Sequence, residues 1–228
     1  MQQGNKLTIR NALSVLILLI CFSSNPVLAQ RSHLGVLAGF ASATVGGSYI
    51  EGSDGRELGF HGGAVLDREF NARWSLETGF GWMQKGGKKL TLSDHAASGE
   101  TYGFQSSYLQ IPILLRAKFP IGGSWFIVPF AGIAFGANVG SKYKNGEAFE
   151  FEEEGSTETS PGGKPQTLEL SVPLGSYFWI EFPGDSRFFV GLKYELGLTN
   201  VYQAAADLGQ SSHNKVLVPL FGFVAPLQ

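Results

Sequence analysis

Cysteine is nearly missing from this 228-residue chain, and the single one, Cys21, falls within the first thirty residues. Beyond that point the absence excludes disulfide staples, thiol catalysis and Cys-based metal sites together. Charge is scarce as well. Asp, Glu, Lys and Arg make up 16% of the residues, against about 25% in ordinary soluble domains. There is no basic excess: the net charge is −2, so no positive field draws the chain to nucleic acid. The four His show no His-x-x-x-His spacing, and neither a metal centre nor a cofactor is expected. What the sequence does hold is 31 Gly, 18 Phe and 13% aromatic residues. That apolar content excludes disorder. So much glycine argues against a helical bundle, because each costs about 1 kcal/mol in a helix interior.

The beginning of the chain reads as an export signal. Lys6 and Arg10 form a positive start, Ala12 to Phe22 an apolar stretch broken only by Ser14, and Val27-Leu28-Ala29 a small-residue cleavage site. A secretory signal peptide is expected over residues 1–29, leaving one domain over 30–228. The apolar part is too short to span a membrane comfortably. Ile20 is too large to precede a lipid-modified Cys21. Cleavage after Ala29 removes two Lys/Arg and no acid, which takes the net charge from −2 to −4.

The remainder alternates with a period of two. In residues 74–82, Trp74, Leu76, Thr78, Phe80 and Trp82 share one face, with Ser75, Glu77, Gly79 and Gly81 on the other. Residues 188–198 repeat the pattern, with Phe188, Val190, Leu192, Tyr194, Leu196 and Leu198 on one face. Stretches at 168–180, 58–66 and 109–116 do so too, and 33–43 and 215–224 more weakly. Pro120 to Val139 carries no charge. Its glycines, prolines and aromatics predict a strand there and not a membrane helix, although both faces are apolar from Phe126 to Phe135.

Eight strands result, each long enough to cross a bilayer when tilted. The connections between them alternate in length: 44–57 long, 67–72 short, 84–104 long, 118–123 short, 139–166 long, 182–186 short, 200–213 long. Outer-membrane barrels follow that rule, with short periplasmic turns and long outer loops. The predicted fold is all-β: a closed eight-stranded antiparallel up-and-down transmembrane β-barrel, both termini periplasmic. Aromatics at the short turns (Phe70, Trp74, Phe119, Trp125, Phe182, Phe188) suit an interfacial girdle.

Lipid forces the apolar face outward and leaves the inward face for charge. Glu77, Arg116, Glu169, Glu181, Lys193 and Glu195 all have inward parity. They are expected to form a structural polar plug, because an eight-stranded interior is about filled by side chains. Lys193 is expected to pair with Glu77 or Glu195, and Arg116 to meet a carboxylate near the periplasmic end, where Glu181 is also placed.

Two motifs resemble a known family. Tyr108-Leu109-Gln110-Ile111-Pro112-Ile113-Leu114-Leu115-Arg116 is similar to the Tyr-Leu-x-Ile-Pro strand of the PorT-like outer-membrane β-barrel family, common in the Bacteroidetes. Tyr194-Glu195-Leu196-Gly197-Leu198-Thr199-Asn200 resembles its Tyr-x-x-Gly-Leu-x-Asn strand ending. The resemblance covers residues 33 to 227 and implies the barrel and its outer-membrane location. The family's founding member takes part in assembling a protein-secretion system.

Catalytic signals are thin. Ser93-Asp94-His95 has the residue types of a hydrolase triad, but adjacent residues do not easily adopt triad geometry. Gly86-Gly87-Lys88-Lys89 lacks the spacing of a phosphate loop and reads as a basic loop tip. The run Glu147, Glu150, Glu152, Glu153, Glu154, Glu158 lacks EF-hand spacing and reads as a solvated loop. The expected function is that of an integral outer-membrane barrel, not an enzyme, with a structural, adhesive or assembly role. Its expected partners are membrane lipid, the barrel-assembly machinery during insertion, and proteins reached through 84–104 and 139–166. The alternatives are a barrel enzyme for acyl transfer or hydrolysis, and an exported lipocalin-like carrier. A carrier would need an apolar interior and a polar outside, the reverse of residues 74–82 and 188–198.

Overall fold

A computed structural model describes residues 31–53, 55–92, 101–145, 148–151 and 165–227. The expected signal peptide lies outside them. Eight long strands form the wall: β1 (Ser32–Gly46), β3 (Glu57–Glu69), β4 (Trp74–Leu92), β5 (Tyr102–Ala117), β7 (Trp125–Asn145), β9 (Leu168–Glu181), β10 (Arg187–Gly197) and β11 (His213–Pro226). Three short strands, β2 (Ile50–Ser53), β6 (Phe119–Gly122) and β8 (Ala148–Phe151), and one short helix, α1 (Gln203–Asp207), sit in the connections.

Every long strand pairs antiparallel with its sequence neighbours, and β1 pairs with β11 from His33↔Pro226 to Gly46↔His213. That last ladder closes the barrel and leaves no edge among the eight. Both ends of the closing pair's outer termini, Ser32 and Pro226, therefore lie at the end with the short turns. We call this the turn end and the opposite one the loop end.

The short turns have local causes. Asn71 Oδ1 accepts from the amides of Arg73 and Trp74, both at 2.9 Å, which reverses the chain between β3 and β4. Between β9 and β10, Gly184 and Asp185 both take positive φ, 84° and 62°. The girdle aromatics named above are all exposed.

Two connections expected as loops contain strand in their described residues. β4 runs on to Leu92 and β5 begins at Tyr102; β7 runs on to Asn145 and pairs with β8. Pairing persists because buried side chains persist there: Leu90, Tyr102, Phe104 and Tyr143 pack with Tyr49 and Tyr202 under α1. The Gly86-Gly87 pair is accordingly not a loop tip. Gly86 lies opposite Gln105 and Gly87 opposite Phe104, and the ladder shifts between Gly87 and Leu90, where Lys89 takes φ 49°.

The apolar segment after Pro120 splits into β6 and β7. Ile127, Ile133 and Phe135 of β7 are exposed, while Val128, Phe130 and Ala134 are buried. The inward face is apolar because it meets an apolar sector of the interior. Phe130 packs on Tyr177 at 4.5 Å between ring centroids, and Tyr177 on Phe189 at 4.8 Å. Strand β10 has the opposite character: Leu192 is 51% exposed and Lys193 only 6%.

Candidate functional site: the charged barrel interior

The polar side chains inside the barrel follow from strand parity. Once Trp74, Leu76, Phe80 and Trp82 point out, Ser75, Glu77, Met83 and Lys85 must point in. The structure buries Glu77, Arg116, Glu169, Lys193 and Glu195, and half-buries Glu181. A buried charge is tolerable only when it is paired and hydrogen-bonded.

Near the turn end, Arg116 forms an ion pair with Asp67, and its Nη1 lies 2.7 Å from Glu77 Oε2. Its Nε donates to Ser75 Oγ at 3.2 Å, and the Tyr177 hydroxyl donates to Glu77 Oε1 at 3.1 Å. Arg187 reaches Glu69 at 2.7 Å, Asp67 at 3.4 Å and Glu181 at 2.9 Å. Both guanidinium groups face the Trp179 ring, at 4.8 Å and 5.2 Å from its centroid. Glu181 does not meet Arg116. It is held by Arg187 and by Lys118 at 3.3 Å, because the stagger of the strands offsets the two positions.

Further along, Lys193 Nζ lies 3.3 Å from Glu195 Oε2 and 3.2 Å from His61 Nε2. Of the two partners expected for Lys193, Glu195 takes that place, while Glu77 is held by Arg116. Toward the loop end, Lys85 Nζ lies 2.5 Å from both Glu169 Oε2 and Glu195 Oε1. Gln110 and Ser171 each donate to Glu195 at 2.8 Å, and Asn214 donates to Glu169 at 2.9 Å. A cavity of about 30 Å³ lies beside His61, Lys193, Glu195 and Glu77, room for roughly two water molecules.

Lys85 and Arg187 are interior residues that the sequence reading does not place, and Asp67, on the face opposite Leu58 and Leu66, stands outside its six expected interior charges. Each has inward parity, but each lies in or at the edge of a segment that the sequence places in a connection. Extending the alternation by one or two residues past Leu66 and Met83, and back from Phe188, finds all three. The structure also gathers His33, Asp67 and Glu69, whose ligand atoms lie within 4.8 Å of one another. Arg187 already engages both carboxylates. Above the barrel, burial lifts the Tyr202 hydroxyl well above the ordinary tyrosine range, and the neighbouring Tyr143 and Tyr49 add to the shift. Ser93, Asp94 and His95 lie outside the described residues, as do Glu147, Glu152, Glu153, Glu154 and Glu158.

A closed antiparallel barrel with an apolar outside and a charged inside has its counterpart among known proteins. The sequence profile of the outer membrane protein beta-barrel domain matches residues 22–203. The chain belongs to this family. It is an outer-membrane β-barrel protein. Among solved structures it is similar to Ail, the attachment invasion locus protein of Yersinia pestis, at 13% identity and TM-score 0.40, over 85% of this chain and 99% of that one. It is also similar to Neisserial surface protein A (11%, TM-score 0.45, over 85% and 97%) and to OprG of Pseudomonas aeruginosa (16%, TM-score 0.47, over 88% and 98%). No curated protein matches the sequence. Among the described residues no helix is long and apolar enough to cross a membrane, and in this outer-membrane barrel the strands make the crossing.

Proposed function

We propose that this outer-membrane barrel is a plugged, non-enzymatic anchor that presents its loop end at the cell surface to protein partners. Its termini are periplasmic, its signal peptide is removed after Ala29, and within the family it is one of the PorT-like barrels. The observation that carries the reading is a pair of ion-pair networks inside the wall, one from Lys118 through Glu181, Arg187, Asp67 and Arg116 to Glu77, the other from Lys193 through Glu195 and Lys85 to Glu169. Fixed, mutually neutralising charges fill the space that a channel would need for water. A second support is the length of β4, β5 and β7, which continue past the outward apolar residues and form a raised sheet with β2 and β8.

Three measurements test the reading. Protease added to intact cells should cut within 93–100 or 152–164 and spare 183–186; the opposite pattern reverses the topology. The purified protein in a planar bilayer should give no stepwise conductance, whereas steady porin-like steps would remove the plug. Deleting 93–100 and 152–164 should leave the barrel in the outer membrane and abolish crosslinked partners.

A further inference from the structure

His33 lies at the turn end of β1, on the inward face. It is wholly buried (0% exposed), yet neither Nδ1 nor Nε2 has a hydrogen-bond partner among the described residues. A neutral imidazole carries one donor and one acceptor, and leaving both buried and unpaired costs stability. Strand pairing sets His33 directly opposite Asp67 of β3, and Glu69 follows two residues on along the same strand, with the same parity. His33 Nδ1 lies 3.9 Å from Asp67 Oδ2, which is too far for a hydrogen bond. One ligand atom from each of the three residues lies within 4.8 Å of the other two.

The charges around this group favour a further cation. Asp67, Glu77 and Glu181 are matched by Lys118, Arg116 and Arg187, and Glu69 adds a fourth carboxylate to the same network. Protonating His33 would supply one charge, but it would make both unpaired ring nitrogens donors. A metal ion takes the Nδ1 lone pair instead. One imidazole nitrogen and two carboxylate oxygens are a donor set for a first-row divalent ion, with a remaining position for water. Bonds of about 2.0–2.2 Å hold tetrahedral ligand atoms ~3.3 Å apart, so the three side chains must close by roughly 1–1.5 Å. Glu69 can supply that movement. It ends β3, and its side chain is 15% exposed while those of His33 and Asp67 are fully buried.

We propose that His33, Asp67 and Glu69 form a binding site for a divalent transition-metal ion of the Zn²⁺ class at the turn end of the barrel. Arg187 is the ion's competitor. Its Nη1 lies 2.7 Å from Glu69 Oε1 and 3.4 Å from Asp67 Oδ2, while its Nε is held by Glu181 at 2.9 Å. The metal ion displaces Nη1 from the two carboxylates, and the guanidinium stays on Glu181. Arg116 keeps its own bond to Asp67 Oδ1. The ion enters past Glu69. Only the compartment that supplies it rests on the reading that the turn end is periplasmic.

The test titrates Zn²⁺ into the purified, untagged protein in micelles, with binding read by calorimetry and retained metal by elemental mass spectrometry. Micelles carry no orientation, so the result is independent of the topology that the protease experiment reads. His33→Gln should weaken binding by roughly tenfold or more, since even a partner behind a metal ligand is worth that much. It removes no hydrogen bond and leaves the other three His in place, so the SDS heat-shift should be unchanged. Glu69→Gln, at the partly exposed carboxylate, should weaken binding as well. A folded Arg187→Gln, freed of the competing guanidinium, should bind Zn²⁺ more tightly than the parent. Co²⁺ should give a visible absorption band in the parent that both ligand variants lose. Equal Zn²⁺ affinity in the parent and a folded His33→Gln would overturn the site. Equal affinity for Mg²⁺ or Ca²⁺ would overturn the role of the imidazole and with it the assignment to a transition metal.

Discussion

Asp67 of β3 and Glu77 of β4 stand directly opposite one another on the inner wall, and Arg116 of β5 bonds to both. Two like charges in cross-strand register repel. The guanidinium turns that repulsion into a three-strand clasp. Arg116→Met should therefore destabilise the barrel by about 3–5 kcal/mol, the cost of leaving buried charge unpaired. Adding Asp67→Asn and Glu77→Gln should recover most of the loss. Tryptophan fluorescence during urea unfolding in micelles reads both changes; identical midpoints for parent and Arg116→Met would refute the clasp.

Lys85 and Lys193 both reach Glu195, but they are not equivalent. Glu195 keeps Lys85, Gln110 and Ser171 when Lys193 is removed, whereas removing Lys85 leaves Glu169 with Asn214 alone. Lys85→Met is expected to cost about 3–5 kcal/mol and Lys193→Met clearly less. The same unfolding experiment ranks them, and the reverse order would show that Lys193 carries the charge balance.

Gly86 lets two backbones approach closely. A Cβ there would stand 1.9 Å from the Phe104 carbonyl oxygen, while one at Gly140 meets nothing within 4 Å. Gly86→Ala should destabilise by about 1–3 kcal/mol through overpacking, and Gly140→Ala should be near neutral. Equal midpoints for the two variants would mean that the β4–β5 contact gives way without cost.

The β1–β11 ladder predicts resistance to SDS. With no edge exposed among the eight strands, the detergent finds no place to begin unzipping the sheet. Unboiled protein should migrate apart from boiled protein and give a β-type circular-dichroism spectrum. One band at the same position under both conditions would contradict a closed barrel.

Much of this architecture is written along the chain because a strand has only two faces. Phe188, Val190 and Leu192 against Arg187, Phe189 and Lys193 states which side meets lipid without reference to any other strand. The tyrosine cluster above the barrel was not readable in the same way. Tyr49, Tyr102, Tyr143 and Tyr202 come from four separate connections or strand ends, and no local period links them.

Alternation and the long–short order of connections, both local properties, by themselves determined strand number, neighbour order and the sign of each face. Only the tertiary structure decided where strands end and which charges meet. Pairing extended β4 and β7 past their apolar bands because a partner strand remained beside them. Arg116 went to Asp67 and Glu77, and Glu181 to Arg187 and Lys118. The physical reason is that closure staggers each strand against the next by an amount set by the whole ring. The height of a side chain inside the barrel is thus a property of all eight strands together.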